Sequence, residues 1–241
     1  MHRTARLAVL CLALASSWAW AGRPFATEDA EVLDLHACEW ENVGTLVRER
    51  PDEGPATSRF VTTQVGCAVR PGTQLAVAVA TQWGAFRGDA FALGGKSSLL
   101  ARESETGTSF TLQYAWLRWH EKRAGLRIQQ AFVGLVASKP LGQGSTVHVN
   151  LGRQWNTEED PASGLPASKA HVAYWNAAFE HKVAEAWDVG VELYGTQHSK
   201  PWTGVGVRYT PSAEWSFNAI VSRQPSPSSV TTWSAGFKYS F

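Results

Sequence analysis

Cysteine, methionine and long apolar runs are all scarce in this chain, and each scarcity excludes a class of protein. Three cysteines and one methionine among 241 residues rule out a disulfide-dense secreted scaffold. Beyond the first turns of the chain, no segment approaches the roughly 18 consecutive apolar residues that a membrane helix needs. Neither sign of charge dominates, with 22 Lys+Arg against 21 Asp+Glu, so no basic surface is available to hold nucleic acid. Phosphate-binding loops, zinc-ligand spacings and glycine-rich dinucleotide signatures are missing as well. No cofactor, metal or catalytic residue is expected, and the chain does not read as an enzyme.

What the sequence does contain starts with a leader. Met1-His2-Arg3-Thr4-Ala5-Arg6 is short and positive, Leu7 to Ala15 is apolar, and Ala19-Trp20-Ala21 supplies small residues at a cleavage site. Residues 1–21 therefore read as a secretory signal peptide, too short to span a bilayer. Arg3 and Arg6 leave with it, so 20 basic residues remain against 21 acidic ones.

The other end carries the clearest structural signal. In Thr231-Thr232-Trp233-Ser234-Ala235-Gly236-Phe237-Lys238-Tyr239-Ser240-Phe241 the aromatic and apolar residues fall on one parity and the polar residues on the other. That is a strand with one face for lipid and one for water. Trp233, Phe237, Tyr239 and the final Phe241 resemble the C-terminal signal that the barrel assembly machinery reads in bacterial outer-membrane proteins. Period-two alternation recurs from residue 36 onward in about twelve segments of ten or so residues, divided by turn residues. Residues 36–241 are thus expected to form an all-β fold: a transmembrane antiparallel up-and-down β-barrel of about 12 strands in the bacterial outer membrane. A soluble sandwich or lipocalin-like barrel shares the alternation, but the aromatic terminus and the placement of tryptophan weigh against it. Trp40, Trp187 and Trp215 fall at the periplasmic rim, and Trp83, Trp116, Trp202 and Trp233 near the outer rim, as two aromatic girdles. The stretch 156–168, acidic and rich in Gly and Pro, is expected to be an outer loop.

Parity assigns the inward face. Glu39, Glu41, Gln64, Lys96, Gln113, His148, Asn150, Asn176, Glu180, Glu192, Arg208 and Lys238 should line the lumen, with charges of both signs and neither in excess. His148 and Asn150 share that face, and no serine lies beside His148 on its own strand, so no nucleophile and base are visible. Cys38 and Cys67 lie nearly opposite each other if the first two strands form a hairpin about residues 50–57. Opposed positions bring Cβ atoms to about 4.5–5.5 Å, close to disulfide range, and the periplasm is oxidising; a disulfide is expected.

Residues 22–35 do not alternate. Glu28, Asp29, Glu31 and Asp34 make them acidic, and Pro24 hinders pairing. They form either a plug whose carboxylates meet Lys96, Arg208 or Lys238, or a loose periplasmic leader. The run Arg23-Pro24-Phe25-Ala26-Thr27-Glu28-Asp29-Ala30, followed by Cys38-Glu39-Trp40-Glu41 and by Gly94-Gly95-Lys96, resembles a family of outer-membrane proteins assigned to transport in meta-pathway phenol degradation. The resemblance implies a barrel and uptake of small solutes, aromatic or hydrophobic ones among them. The expected partners are the outer-membrane bilayer, the assembly machinery and small-molecule solutes. A structural or adhesive barrel without transport is the alternative, and a surface lipid hydrolase a more distant one.

Overall fold

The structure, a computed structural model, describes residues 25–50, 56–101, 107–122, 125–159, 166–225 and 229–241. The expected signal peptide lies outside the described residues, as do residues 22–24. Twelve strands follow one another: β1 Cys38–Glu49, β2 Ala56–Arg70, β3 Thr73–Gly84, β4 Gly88–Leu100, β5 Ser109–Glu121, β6 Arg127–Gly142, β7 Ser145–Glu159, β8 Pro166–Ala184, β9 Trp187–Thr196, β10 Trp202–Tyr209, β11 Trp215–Gln224 and β12 Val230–Ser240. Each pairs antiparallel with its neighbour in the chain, and β12 returns to β1, so the sheet closes into a barrel. Closure leaves no edge with unpaired backbone groups, which is the condition for strands to stand in hydrocarbon.

The barrel is turned inside out relative to a soluble protein. Val65, Val77, Val79, Leu93, Leu135, Leu151, Val191 and Val205 stand exposed on the outer surface, while Gln74, Gln82, Gln113 and Asn150 are among the most deeply buried side chains. A soluble barrel would leave that outer band facing water at a cost of about 25 cal/mol per Å². The observed distribution is that of a barrel whose outside is solvated by lipid.

Closure is carried by the two ends of the chain. The register runs from Glu39 opposite Ser240 to Glu49 opposite Val230. Cys38 and Phe241 exchange two backbone hydrogen bonds, of 2.8 and 2.9 Å, at the base of this seam. Cys38 also lies opposite Cys67 in the β1–β2 register, with a Cα separation of 4.1 Å, and the two are joined by a disulfide. Around the same end an aromatic band wraps the outer surface. Trp215 contacts Phe217, Phe237 and Tyr239, Tyr239 contacts Phe241, and Trp40 meets Phe237 edge-on. Trp187 packs on Tyr209 farther round.

Two expectations from the sequence need correction. Trp202 does not join the outer girdle. It shares parity with Gly204, Gly206 and Arg208 and turns inward, where it is buried and stacks on Tyr194 with ring centroids 5.8 Å apart. The stretch 156–168 is not all loop. Pairing of β7 with β8 continues through Thr157 opposite Lys169 to Glu159 opposite Pro166, and only 160–165 falls outside the described residues. A hairpin standing in water needs no apolar face, so backbone pairing and contacts such as Ser168 Oγ to Glu158 Oε2, 3.1 Å, carry it onward without the alternation that marks the membrane strands.

Candidate functional site: the occupied lumen

Residues 25–33 run up the inside of the barrel, and Phe25 to Ala30 are all buried. The segment is held by one side chain from each of seven consecutive strands. Gln74 of β3 accepts the Leu33 N–H at 2.9 Å. Lys96 of β4 donates to Glu28 Oε1 at 2.9 Å and lies 3.5 Å from Asp29 Oδ1. Thr111 of β5 donates to the Ala30 carbonyl at 2.6 Å, and Ser138 of β6 accepts the Ala30 N–H at 2.8 Å. Asn150 of β7 matches a peptide edge: its Oδ1 accepts the Glu28 N–H at 2.6 Å while its Nδ2 donates to the Glu28 carbonyl at 2.8 Å. Asn176 of β8 donates to the Ala26 carbonyl at 2.9 Å. Glu192 of β9 accepts from both the N–H and the hydroxyl of Thr27, each at 3.1 Å.

The pattern follows from what the segment is. It is irregular backbone, unable to satisfy its own polar groups, and it lies where water has been displaced. Every buried N–H and C=O must then find a partner. Amide and hydroxyl side chains at the right parity of the wall supply those partners, which explains why Asn150 and Asn176 face each other across the β7–β8 register. Phe25 occupies a seat of another kind. Gly190 and Gly206 are paired across β9 and β10, and a Cβ at Gly190 would fall 2.5 Å from Phe25 Cζ. The two glycines clear the floor on which the ring rests.

Above the tip of this segment, toward the end away from the termini, the lumen is apolar. Val47, Phe60, Trp119, Ile128, Tyr194, Trp202 and Val230 form one buried cluster with Ala26 and with the small residues Ala78, Ala80, Ala90 and Ala92. Polar side chains punctuate it: Ser58, Glu121, Gln130, Ser222 and Gln224 are buried at the same levels, and Gln82 has its amide oxygen and nitrogen both buried without a hydrogen-bond partner among the described residues. Alternation along the strands already sets Ala78, Ala80 and Tyr194 opposite the lipid-facing Val77, Val79 and Leu193. Trp202 shares the parity of Gly204, and Trp119 that of Gln113, so both large rings turn inward with the polar residues of their strands.

Below the cluster, acidic side chains prevail. Lys96 is shared between Glu28 and Asp29, Arg208 between Glu180 and Asp188 at 3.0 Å each, and Lys238 approaches Glu39 at 3.6 Å. Glu41 accepts from the Gln64 amide at 3.3 Å, and Glu192 accepts from Thr27 and from the Ala26 backbone, with no cation paired to either among the described residues. The expected balance of luminal charge is therefore corrected: among the described residues, seven carboxylates stand in this half against the buried or half-buried cations Lys96, Arg208 and Lys238, with Lys182 exposed at the rim opposite Asp188. The wall already carries Glu39, Glu41, Glu180, Asp188 and Glu192, and the entering segment adds Glu28 and Asp29. Gln113, also on the inward face, donates to the Tyr174 hydroxyl at 2.9 Å.

His148 finds the serine that inspection of its own strand missed. Ser138 stands opposite it across the β6–β7 register, with Oγ 2.7 Å from Nδ1, and the far ring nitrogen lies 3.9 Å from Glu180 Oε1. Cross-strand register rather than sequence spacing makes the pair. Ser138 Oγ accepts from the Ala30 N–H and shares a hydrogen bond with His148, and the chain of contacts ties the segment to the Glu180–Arg208 pair. Among the described residues no group of three His, Cys, Asp or Glu side chains is placed to hold a metal ion.

No family model matches the sequence, and no curated protein matches it. The fold does have solved counterparts. An outer membrane channel from Pseudomonas putida F1 superimposes with a TM-score of 0.66 at 10% identity, covering 88% of this chain and 98% of that one. The translocator domain of the autotransporter NalP from Neisseria meningitidis gives 0.62 at 12% identity, over 98% of this chain and 95% of that domain. KdgM porin, solved with disordered oligogalacturonate, gives 0.57 at 10% identity, over 83% and 99%. At these identities the likeness is one of fold. It is the fold of bacterial outer-membrane barrels, and counterparts that differ in role show that the fold alone does not select a function.

Proposed function

We propose that the protein is an outer-membrane channel for small solutes, closed from the periplasmic side by its own residues 25–33. The observation that carries this reading is the succession of seven strands that each give one side chain to a segment outside the wall. A barrel with a purely structural task has no use for so many polar groups aimed at a removable occupant, when a packed core would be more stable. The apolar outer half of the lumen, and the resemblance of residues 23–33 to transporters linked with phenol degradation, support small solutes with aromatic or hydrophobic bodies. On the same reading Ser138 and His148 anchor the segment and are not a nucleophile and its base, and Trp233, Phe237, Tyr239 and Phe241 serve assembly as well as anchoring.

Conductance in planar bilayers tests the proposal. The chain lacking residues 23–34 should pass steady current where the full chain passes brief or small openings. Liposomes carrying the shortened chain should swell in sugars, amino acids or aromatic acids. Equal, negligible conductance of both chains would refute transport and favour a structural or adhesive barrel.

A further inference from the structure

Two features of the lumen lie in series, and together they specify a chemical class of solute. The half away from the termini presents mainly aromatic and aliphatic surface, with Phe60, Trp119, Tyr194 and Trp202 buried in it among a few polar side chains such as Gln82, Gln130 and Glu121. The half near the termini presents carboxylates in excess of cations. Within that excess, oxygen atoms stand without donors: Glu28 Oε2, Glu41 Oε1, Glu192 Oε1 and Gln113 Oε1 are all buried and meet no hydrogen-bond partner among the described residues. Each of these residues is more than nine-tenths buried, Gln113 completely. All four are acceptors, and Gln113 carries no charge, so the deficit is of donors and not only of positive charge.

A buried acceptor with no donor is costly, and a buried carboxylate more so. The two features ask different things of a solute. An inorganic ion is poorly served by the mainly apolar half, which strips its hydration and returns few polar contacts. An anion is repelled by the carboxylate half. An ammonium group on an apolar body suits both, since aromatic faces attract a cation and its N–H groups supply the missing donors. We infer that this barrel passes small organic cations, amines carrying an apolar body, whose ammonium group is received by Glu28, Glu41 and Glu192. The inference rests on the channel reading above and names its solute class.

Single-channel currents under a gradient of butylammonium butanesulfonate at neutral pH test it, because both ions have the same apolar body and opposite charge. The recordings use the natural chain and its Asn150→Ala variant, which loosens the inner segment without changing luminal charge. Butylammonium should permeate at least about fivefold better than butanesulfonate, and Glu41→Gln and Glu192→Gln should each reduce that ratio by about twofold or more. Lys238→Gln, which removes the cation beside Glu39, should raise it. Migration of the folded, heat-modifiable band shows that each variant has assembled. The same measurement in potassium chloride separates a need for charge alone from a need for charge with an apolar body: potassium passing as readily as butylammonium would overturn the apolar half of the inference. A butylammonium preference at or below unity, or one indifferent to both glutamate substitutions, would overturn the whole. No current from either chain in any salt would instead overturn the channel reading.

Discussion

Lys96→Met is the sharpest test of how the inner segment is held. The lysine Nζ sits 2.9 Å from Glu28 Oε1 and 3.5 Å from both the carbonyl and Oδ1 of Asp29. The side chains of Lys96 and Glu28 are 5% and 1% exposed, so water offers no substitute. Removing one partner of such a pair typically costs about 3–5 kcal/mol, because the other charge is left buried and uncompensated. The barrel ladders do not depend on Lys96, so the cost should fall on the docked state of residues 25–33. At about 1.4 kcal/mol per tenfold change, the undocked population should rise by roughly two to three and a half orders of magnitude. Hydrogen exchange reads this directly. The amides of Thr27, Glu28, Ala30 and Leu33 are bonded to Glu192, Asn150, Ser138 and Gln74, and all four should exchange faster by that factor while amides of the β7–β8 ladder hold their rates. The double variant Lys96→Met with Glu28→Gln should recover much of the protection, since an uncharged pair carries a smaller desolvation cost. A change of less than about threefold in the segment, with the barrel intact, would refute the assignment of Lys96 as its principal anchor.

Gly190→Ala should disturb the same segment from the opposite wall. A methyl group there would collide with the Phe25 ring, so exchange at Phe25 to Thr27 should quicken and single-channel openings lengthen, with Leu33 less affected; unchanged openings would argue against the ring as part of the closure. Reduction of Cys38–Cys67 should add two mass units to the intact protein. It should also lower the stability of the folded barrel, by about 3–4 kcal/mol in the chain-entropy account for a loop of this length, 29 residues in separation. Urea unfolding followed by loss of heat-modifiable migration, with and without reductant, measures it.

The wall of this barrel was legible in the sequence because period-two alternation is a local property, repeated in all twelve strands and enforced by lipid on one side. The disulfide was legible for a related reason: a hairpin folds about its midpoint, and Cys38 and Cys67 are nearly equidistant from residue 53. What could not be read depends on register between strands or on occupancy of the lumen. Ser138 and His148 are ten residues apart and meet only because β6 and β7 pair where they do. Trp202 has the residue type of a girdle and the parity of the lumen, and parity decides. For residues 25–33 the sequence showed acidity and the lack of a strand pattern, which suit a plug and a loose leader equally. The deciding information is distributed over Gln74, Lys96, Thr111, Ser138, Asn150, Asn176 and Glu192, one position per strand, and no local window contains it.

The side chains that grip the inner segment belong to β3 through β9, whereas the ring is closed by β1 and β12. A curled sheet lacking its last strands already possesses the whole set of grips. The segment, first of the described residues in chain order, can thus be taken up before the final strand arrives, and the closing pair then shuts over an interior that is already furnished. Occupation of the lumen thus makes no demand on the two strands that close the cylinder.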